Sequence, residues 1–267
     1  MPASTKITFY DLICNHPEKR STSPFTSKLR YILNYKQLNY TTQWLQLGEI
    51  EPLFKKLGIP HTAVMPDGSL KYTVPAIMDE TSKEPVLIAD SYEIAKYLEK
   101  MYPDPERAVF PAFPSGSSST ASVQMTPAMH ALVEKHFYTT IYPVLRGFVM
   151  WGIWEAQTDG SRGVWLSRVG GDVANIPRVP ASGTEERKEA VGKLRDAFQG
   201  LGDAIEQNTE GVWFMGSRPT YVDFVCLATL MLLKAHGEEG MWEEVKTWEG
   251  GRWEAYVKAA EPWLVIV

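Results

Sequence analysis

The chain has 267 residues, 44% of them hydrophobic, with a formal net charge of -5 and a pI near 5.6. That length and apolar content can bury a full core and favour two modest domains, while the acidic balance and lack of a basic cluster exclude a nucleic-acid partner. No apolar run reaches the roughly 18 residues of a membrane span, and Met1-Pro2-Ala3-Ser4-Thr5-Lys6 has no apolar leader core, so no membrane partner is expected and the location expected is cytoplasmic.

Ile7 to Leu12 alternates loosely and reads as a strand, followed by a polar loop through Arg20 and a helix from Pro24 to about Tyr35 whose stripe is Leu29, Ile32 and Leu33. Ser23-Pro24 places a serine at the N-cap and a proline at the first helical position. Tyr40 to Leu45 is a second strand and about Glu49 to Leu57 a short helix. After an irregular stretch from Ile59 to Lys71 come strands at Val74 to Asp79 and Val86 to Ala89, joined by a polar connection, and a helix from Ser91 to Met101. This βαβα-ββα order, with a proline entering the third strand, is that of a thioredoxin-like domain over residues 1–103.

Pro103 to Ala121 is rich in proline and contains Ser115-Gly116-Ser117-Ser118-Ser119. It reads as an exposed, mobile linker, 104–122. Residues 123–267 read as all-helical, with helices at Thr126 to about Trp154, Thr184 to Asn208, about Tyr221 to Ala235, and Trp242 to about Lys258 broken at Gly250-Gly251. Thr220 and Asp223 have capping-box spacing at the start of a helix apolar through Leu233, which marks a core helix with an internal cap; Asp223 is structural, not a catalytic acid.

Val74-Pro75 and Asp90-Ser91 carry the chemistry. Proline in an apolar segment removes a ladder donor. If the Val74-Pro75 bond is cis, the main chain of Val74 faces outward to pair with an extended peptide. Asp90-Ser91 at a helix start offers N–H groups and a hydroxyl to an anion, and a carboxylate to an ammonium. Each pair has a plain structural use as strand start or cap; together they imply a short peptide carrying both charges. Cys14 and Cys226 are too few for a disulfide framework, Cys14 reading as a loop or strand-end thiol. The histidines form no cluster with ligand spacing, so no metal is expected.

Together these features resemble the cytosolic glutathione transferases over most of the chain: an α/β thioredoxin-like N-terminal domain plus an all-α C-terminal domain. Ser23-Pro24-Phe25-Thr26-Ser27-Lys28-Leu29-Arg30, Leu33-Asn34-Tyr35-Lys36 and Glu49-Ile50-Glu51-Pro52 look most like the fungal etherase-related branch. The resemblance implies glutathione as co-substrate, held by Val74 and Pro75 at its cysteinyl part and by Asp90 and Ser91 at its γ-glutamyl end. Ser23 would activate the thiol, with Ser21, Thr22, Thr26 and Ser27 as neighbouring hydroxyls. For the glycine carboxylate Lys56, His61 and Lys71 stand open, with His61 counted among the glutathione-binding residues. Tyr138, Tyr142 and Trp151 would line a hydrophobic site for small aromatic or ether-containing compounds such as wood-derived phenolics. The resemblance also implies a homodimer, and a second reading is a non-catalytic carrier of polyphenols.

Overall fold

The computed structural model describes residues 5–18, 20–114, 122–124, 127–208 and 210–267. The Ser115–Ser119 run and the expected helix start at Thr126 lie outside them.

A four-stranded sheet in the order β2-β1-β5-β6 organises the N-terminal half. Strand β1 (Ile7–Leu12) pairs in parallel with β2 (Tyr40–Leu45) and antiparallel to β5 (Ala76–Asp79), which pairs antiparallel with β6 (Val86–Ala89). The loose alternation of β1 has a physical cause: both its faces are covered. Phe9 meets the Arg30 guanidinium of α1 (Pro24–Tyr35) at 4.8 Å, while Tyr10 turns its ring onto Phe54 of α2 (Ile50–Leu57) at 5.4 Å. Helix α3 (Ser91–Met101) packs beside α1. The stretch read as irregular contains a small hairpin, β3 (Ala63–Val64) with β4 (Leu70–Lys71), too short and too exposed to show an alternation.

Beyond it, β7 (Ala112–Pro114) pairs with β8 (Ser122–Gln124). The described part of the expected linker is not a free tether. Val109 is fully buried, its carbonyl accepts the Tyr221 N–H at 2.8 Å, and Phe110 stacks on Tyr221. The helical half then runs α4 (Pro127–His136), a π-helical turn (Phe137–Ile141), α5 (Tyr142–Glu155), α6 (Asp159–Ser167), α7 (Glu185–Ile205), α8 (Tyr221–His236), α9 (Met241–Val245) and α10 (Trp248–Ala260). The π turn inserts a register shift into what the sequence reads as one helix, which explains the mixed spacing of its aromatics. In α10, Glu249, Gly250 and Gly251 adopt left-handed φ values, the break expected at the glycine pair. Among the described residues no helix is long and apolar enough to cross a membrane.

Helix α8 is the hub. Every residue from Tyr221 to Leu233 is buried, as its almost wholly apolar sequence requires, and it touches α1, α4, α5 and α10. Against α5 the approach is so close that a Cβ at Gly152 would sit 2.2 Å from the His236 carbonyl oxygen. Two histidines are buried here as neutral rings. His130 is 0% exposed with neither ring nitrogen hydrogen-bonded, and His236 places Nε2 3.2 Å from the carbonyl oxygens of Arg20 and Ser21. Burial lowers both from 6.5 to about 4. The unfolded chain therefore takes up protons that the folded chain refuses, so their stabilising contribution, complete above 6.5, is lost as pH falls towards about 4. Thermal melts should decline across that window, and His130→Leu should make the decline shallower.

Candidate active site

A cleft of about 740 Å³ opens between the two halves. The sheet side contributes Leu12, Thr22, Ser23, Phe25, Lys71, Thr73, Val74, Pro75, Asp90 and Ser91, and the helical side Tyr142, Trp165 and Arg168. A second concavity of about 680 Å³, walled by His16, Arg20, Lys234 and Leu264, contains none of the residues expected to bind or react.

Ser23 stands at the mouth of α1 because the loop before it is pinned from below. Asp11, wholly buried in β1, pairs with Arg30 at 2.9 Å and accepts the Ser21 hydroxyl at 3.1 Å. Ser21 Oγ in turn meets Thr26 Oγ1 at 2.7 Å and accepts the Ser23 N–H at 3.2 Å. The same loop is tied to the helical half by Asn15, whose N–H donates to the Ala156 carbonyl at 2.8 Å, and by His236. A connection that looks slack in the sequence is thus held at both ends. Ser23 caps α1 by accepting the Thr26 N–H at 3.4 Å, which leaves the hydroxyl proton without an acceptor among the described residues. A group in the cleft that can accept it, lying at the positive end of the helix, would be stabilised as an anion. Of the neighbouring hydroxyls, Thr22 also faces the cleft, whereas Ser21 and Thr26 are spent on the buried network.

Val74-Pro75 is the one cis peptide bond among the described residues. The Val74 side chain is buried, and its N–H and C=O take no partner among the described residues. A main chain so close to the sheet yet unpaired offers one donor and one acceptor to an extended ligand. Beyond it Asp90 adopts φ 80°, a left-handed conformation, and its Oδ1 accepts the N–H groups of Tyr92 at 2.9 Å and Glu93 at 3.1 Å. The second carboxylate oxygen remains for a cation. Ser91, 4% exposed, begins α3 and lines the same wall.

The helical wall is aromatic. Tyr142 lines the cleft directly, and Tyr138 stacks on the cleft residue Phe25 at 4.8 Å. Trp151 lies outside the lining, its ring covered by the Arg178 guanidinium at 3.2 Å. Cys14 is also outside; its thiol donates to the Arg20 carbonyl at 3.0 Å, and burial pushes its pKa up. Of the cations considered for a carboxylate, Lys71 lines the cleft, whereas Lys56 and His61 do not; His61 turns edge-on to Tyr72. Among the described residues no cluster of His, Cys, Asp and Glu is arranged to hold a metal ion.

The family patterns of the glutathione S-transferase N-terminal and C-terminal domains match residues 22–101 and 128–263. The chain belongs to the glutathione S-transferase family. Among curated relatives, the glutathione S-transferase-like protein ustS of Aspergillus flavus is 28% identical, the alignment covering 96% of this chain and 90% of that protein. Among solved structures, a glutathione S-transferase of Ceriporiopsis subvermispora in complex with glutathione superposes with a TM-score of 0.82 at 27% identity, covering 98% of each chain. Glutathione transferase GSTFuA3 of Phanerochaete chrysosporium gives 0.80 at 26% identity, again covering 98% of each. The glutathione transferase fold and the likeness to the fungal FuA-type enzymes are thereby established.

On the helical wall of this glutathione S-transferase fold, the residues that sequence reasoning missed are Trp165 and Arg168. Both belong to α6 or its C-cap, in Asp159-Gly160-Ser161-Arg162-Gly163-Val164-Trp165-Leu166-Ser167, where two glycines read as turn rather than helix. Tertiary contacts override that local signal: the Leu47 N–H donates to Ser161 Oγ at 3.0 Å, and Thr158 Oγ1 donates to the Gln46 side chain at 3.2 Å. No pattern in the sequence marked this segment as a wall of the site.

Proposed function

We propose that this chain is a glutathione-conjugating enzyme in which Ser23 donates its hydroxyl hydrogen bond to the glutathione sulfur and so favours the thiolate. The observation that carries this reading is the meeting, in one cleft, of an unspent serine hydroxyl at the start of α1, the unpaired main chain of Val74 and the Asp90-Ser91 pair. The tripeptide would lie extended, its cysteine paired with Val74, its ammonium on Asp90, and its γ-glutamyl carboxylate on Ser91 and the N-terminus of α3. A relative with high structural similarity is known in complex with glutathione, which supports the same ligand here. Phe25, Tyr142 and Trp165 suit a flat aromatic or aryl-ether electrophile beside the sulfur.

A thiol of pKa ~8.5 needs roughly 2.7 kcal/mol of preferential thiolate stabilisation to ionise two units lower, which one hydroxyl and a helix N-terminus can together supply. Calorimetry tests the binding half of the proposal. Glutathione should bind one per chain, and Asp90→Asn, which keeps the α3 cap acceptor but loses the charge, should raise Kd about tenfold. An unaltered Kd would remove Asp90 from the ligand. The conjugation half is checked by product mass spectrometry with an activated aryl halide. Saturable polyphenol binding, read from tryptophan fluorescence with no conjugate formed, would favour the carrier reading instead.

A further inference from the structure

Three charged side chains line the cleft among the described residues: Asp90, Lys71 and Arg168. Glutathione brings one ammonium and two carboxylates. On the binding mode proposed above, Asp90 takes the ammonium, and Ser91 with the α3 N-terminus takes the γ-glutamyl carboxylate. A peptide paired with Val74 and pointing that end at Asp90 runs its other end back along Thr73, towards Lys71 on the same stretch of chain. One cation is then left over.

That cation has unusual company. Arg168 caps the C-terminus of α6, and its guanidinium makes no hydrogen bond, ion pair or ring contact among the described residues. Arg30 pairs with Asp11, Arg162 with Asp159, and Arg178 lies over Trp151; Arg146 is as unengaged as Arg168 among the described residues but does not line the cleft. Arg168, an exposed residue, lines the cleft from the helical wall, as do Trp165 and Tyr142. A planar fork of N–H donors has the geometry for two parallel hydrogen bonds to a carboxylate, and the rings of the same wall would take an aryl group.

We infer that the second substrate of this site is an aromatic electrophile bearing a carboxylate, and that Arg168 selects it by gripping that carboxylate. The inference rests on the transferase reading and narrows its substrate class. In the reaction the glutathione thiolate attacks the ring carbon bearing the leaving group. A carbon–sulfur bond forms, the bond to the leaving group breaks, and that group departs with the bonding pair. The thiol proton has already passed to water. The carboxylate stays unreacted on Arg168.

A matched pair tests it: 4-chloro-3,5-dinitrobenzoate and its methyl ester, both of which release chloride, compared as kcat/KM after division by each compound's rate with free glutathione. Wild type should favour the carboxylate about tenfold or more, the worth of one charge-assisted bidentate contact. Arg168→Met should abolish that preference and Arg168→Lys retain part of it, the fork being lost but the charge kept. A wild-type ratio near one, with the ester turned over, overturns the inference and leaves the transferase reading intact. A rise in KM for glutathione in Arg168→Met, with both electrophiles slowed alike, also overturns it, because Arg168 then holds the glycine carboxylate. Turnover of neither compound, together with no heat from glutathione, overturns both.

Discussion

Ser23→Ala should lower kcat for conjugation near pH 6.5 by about 10- to 100-fold while moving KM for glutathione by no more than about threefold. The direction follows from the proposed mechanism: Ser23 accepts from Thr26 N and would donate its own proton to the sulfur, so removing the hydroxyl should raise the thiol pKa in the complex. A rise of one to two units cuts the thiolate fraction about tenfold per unit below the new pKa. Activity should therefore recover as pH is raised, and the limb of the pH–rate profile should move to higher pH. That displacement separates a role at the sulfur from loss of a helix cap, which costs about 1 kcal/mol of stability and lowers activity alike at every pH. Ser23→Thr keeps a hydroxyl and should keep most of the rate. Turnover of Ser23→Ala at the wild-type level would remove the serine mechanism and turn attention to Thr22, the neighbouring hydroxyl on the cleft wall.

Asp223→Ala should be the most damaging substitution for the fold. The carboxylate is 0% exposed and accepts four donors: the N–H groups of Thr220 at 2.7 Å and Phe214 at 2.8 Å, the Thr220 hydroxyl at 3.0 Å and the Tyr256 hydroxyl at 2.6 Å. It thus closes the cap of the central helix α8 and ties it to α10 and to the turn before it. Deleting it strands buried donors at a cost of about 3–5 kcal/mol, which for a chain of this size lowers Tm by roughly 10 °C. Differential scanning calorimetry reads this directly, and a drop of only a degree or two would refute the account.

Burial outweighs the four donors and raises this carboxyl from 3.8 to about 6. Between those values the folded chain keeps a proton that the unfolded chain releases, so the group's contribution is complete below 3.8 and lost as pH rises through about 6. The cost of Asp223→Asn, a mimic of the protonated form, should accordingly shrink across the same interval.

Which elements the sequence revealed depended on how they are stabilised. Helix α8 declared itself because its buried surface goes all the way round and its cap is local: Thr220 and Asp223 lie one turn apart, and their pairing needs nothing from elsewhere. Ser23-Pro24 and Asp90-Ser91 were legible for the same reason. Helix α6 was not, since its two glycines disfavour a helix and its support comes from Gln46 and Leu47, across the domain boundary. The linker misled in the opposite sense. Its proline-rich composition spoke for exposure, yet Val109 finds a place against α8 that no local pattern could announce.

By itself, then, the amino-acid order determined the two halves, the main strands and helices of the first, and the short motifs proposed to hold a charged peptide, because each rests on contacts between near neighbours in the chain. Only the tertiary structure decided which side chains share the cleft. It brought Tyr142, Trp165 and Arg168 to face Ser23 and Val74, and it left Trp151 beneath Arg178 and His61 against Tyr72. The reason is that a wall between domains is set by how two cores pack, and the partners that choose its residues lie far away along the chain.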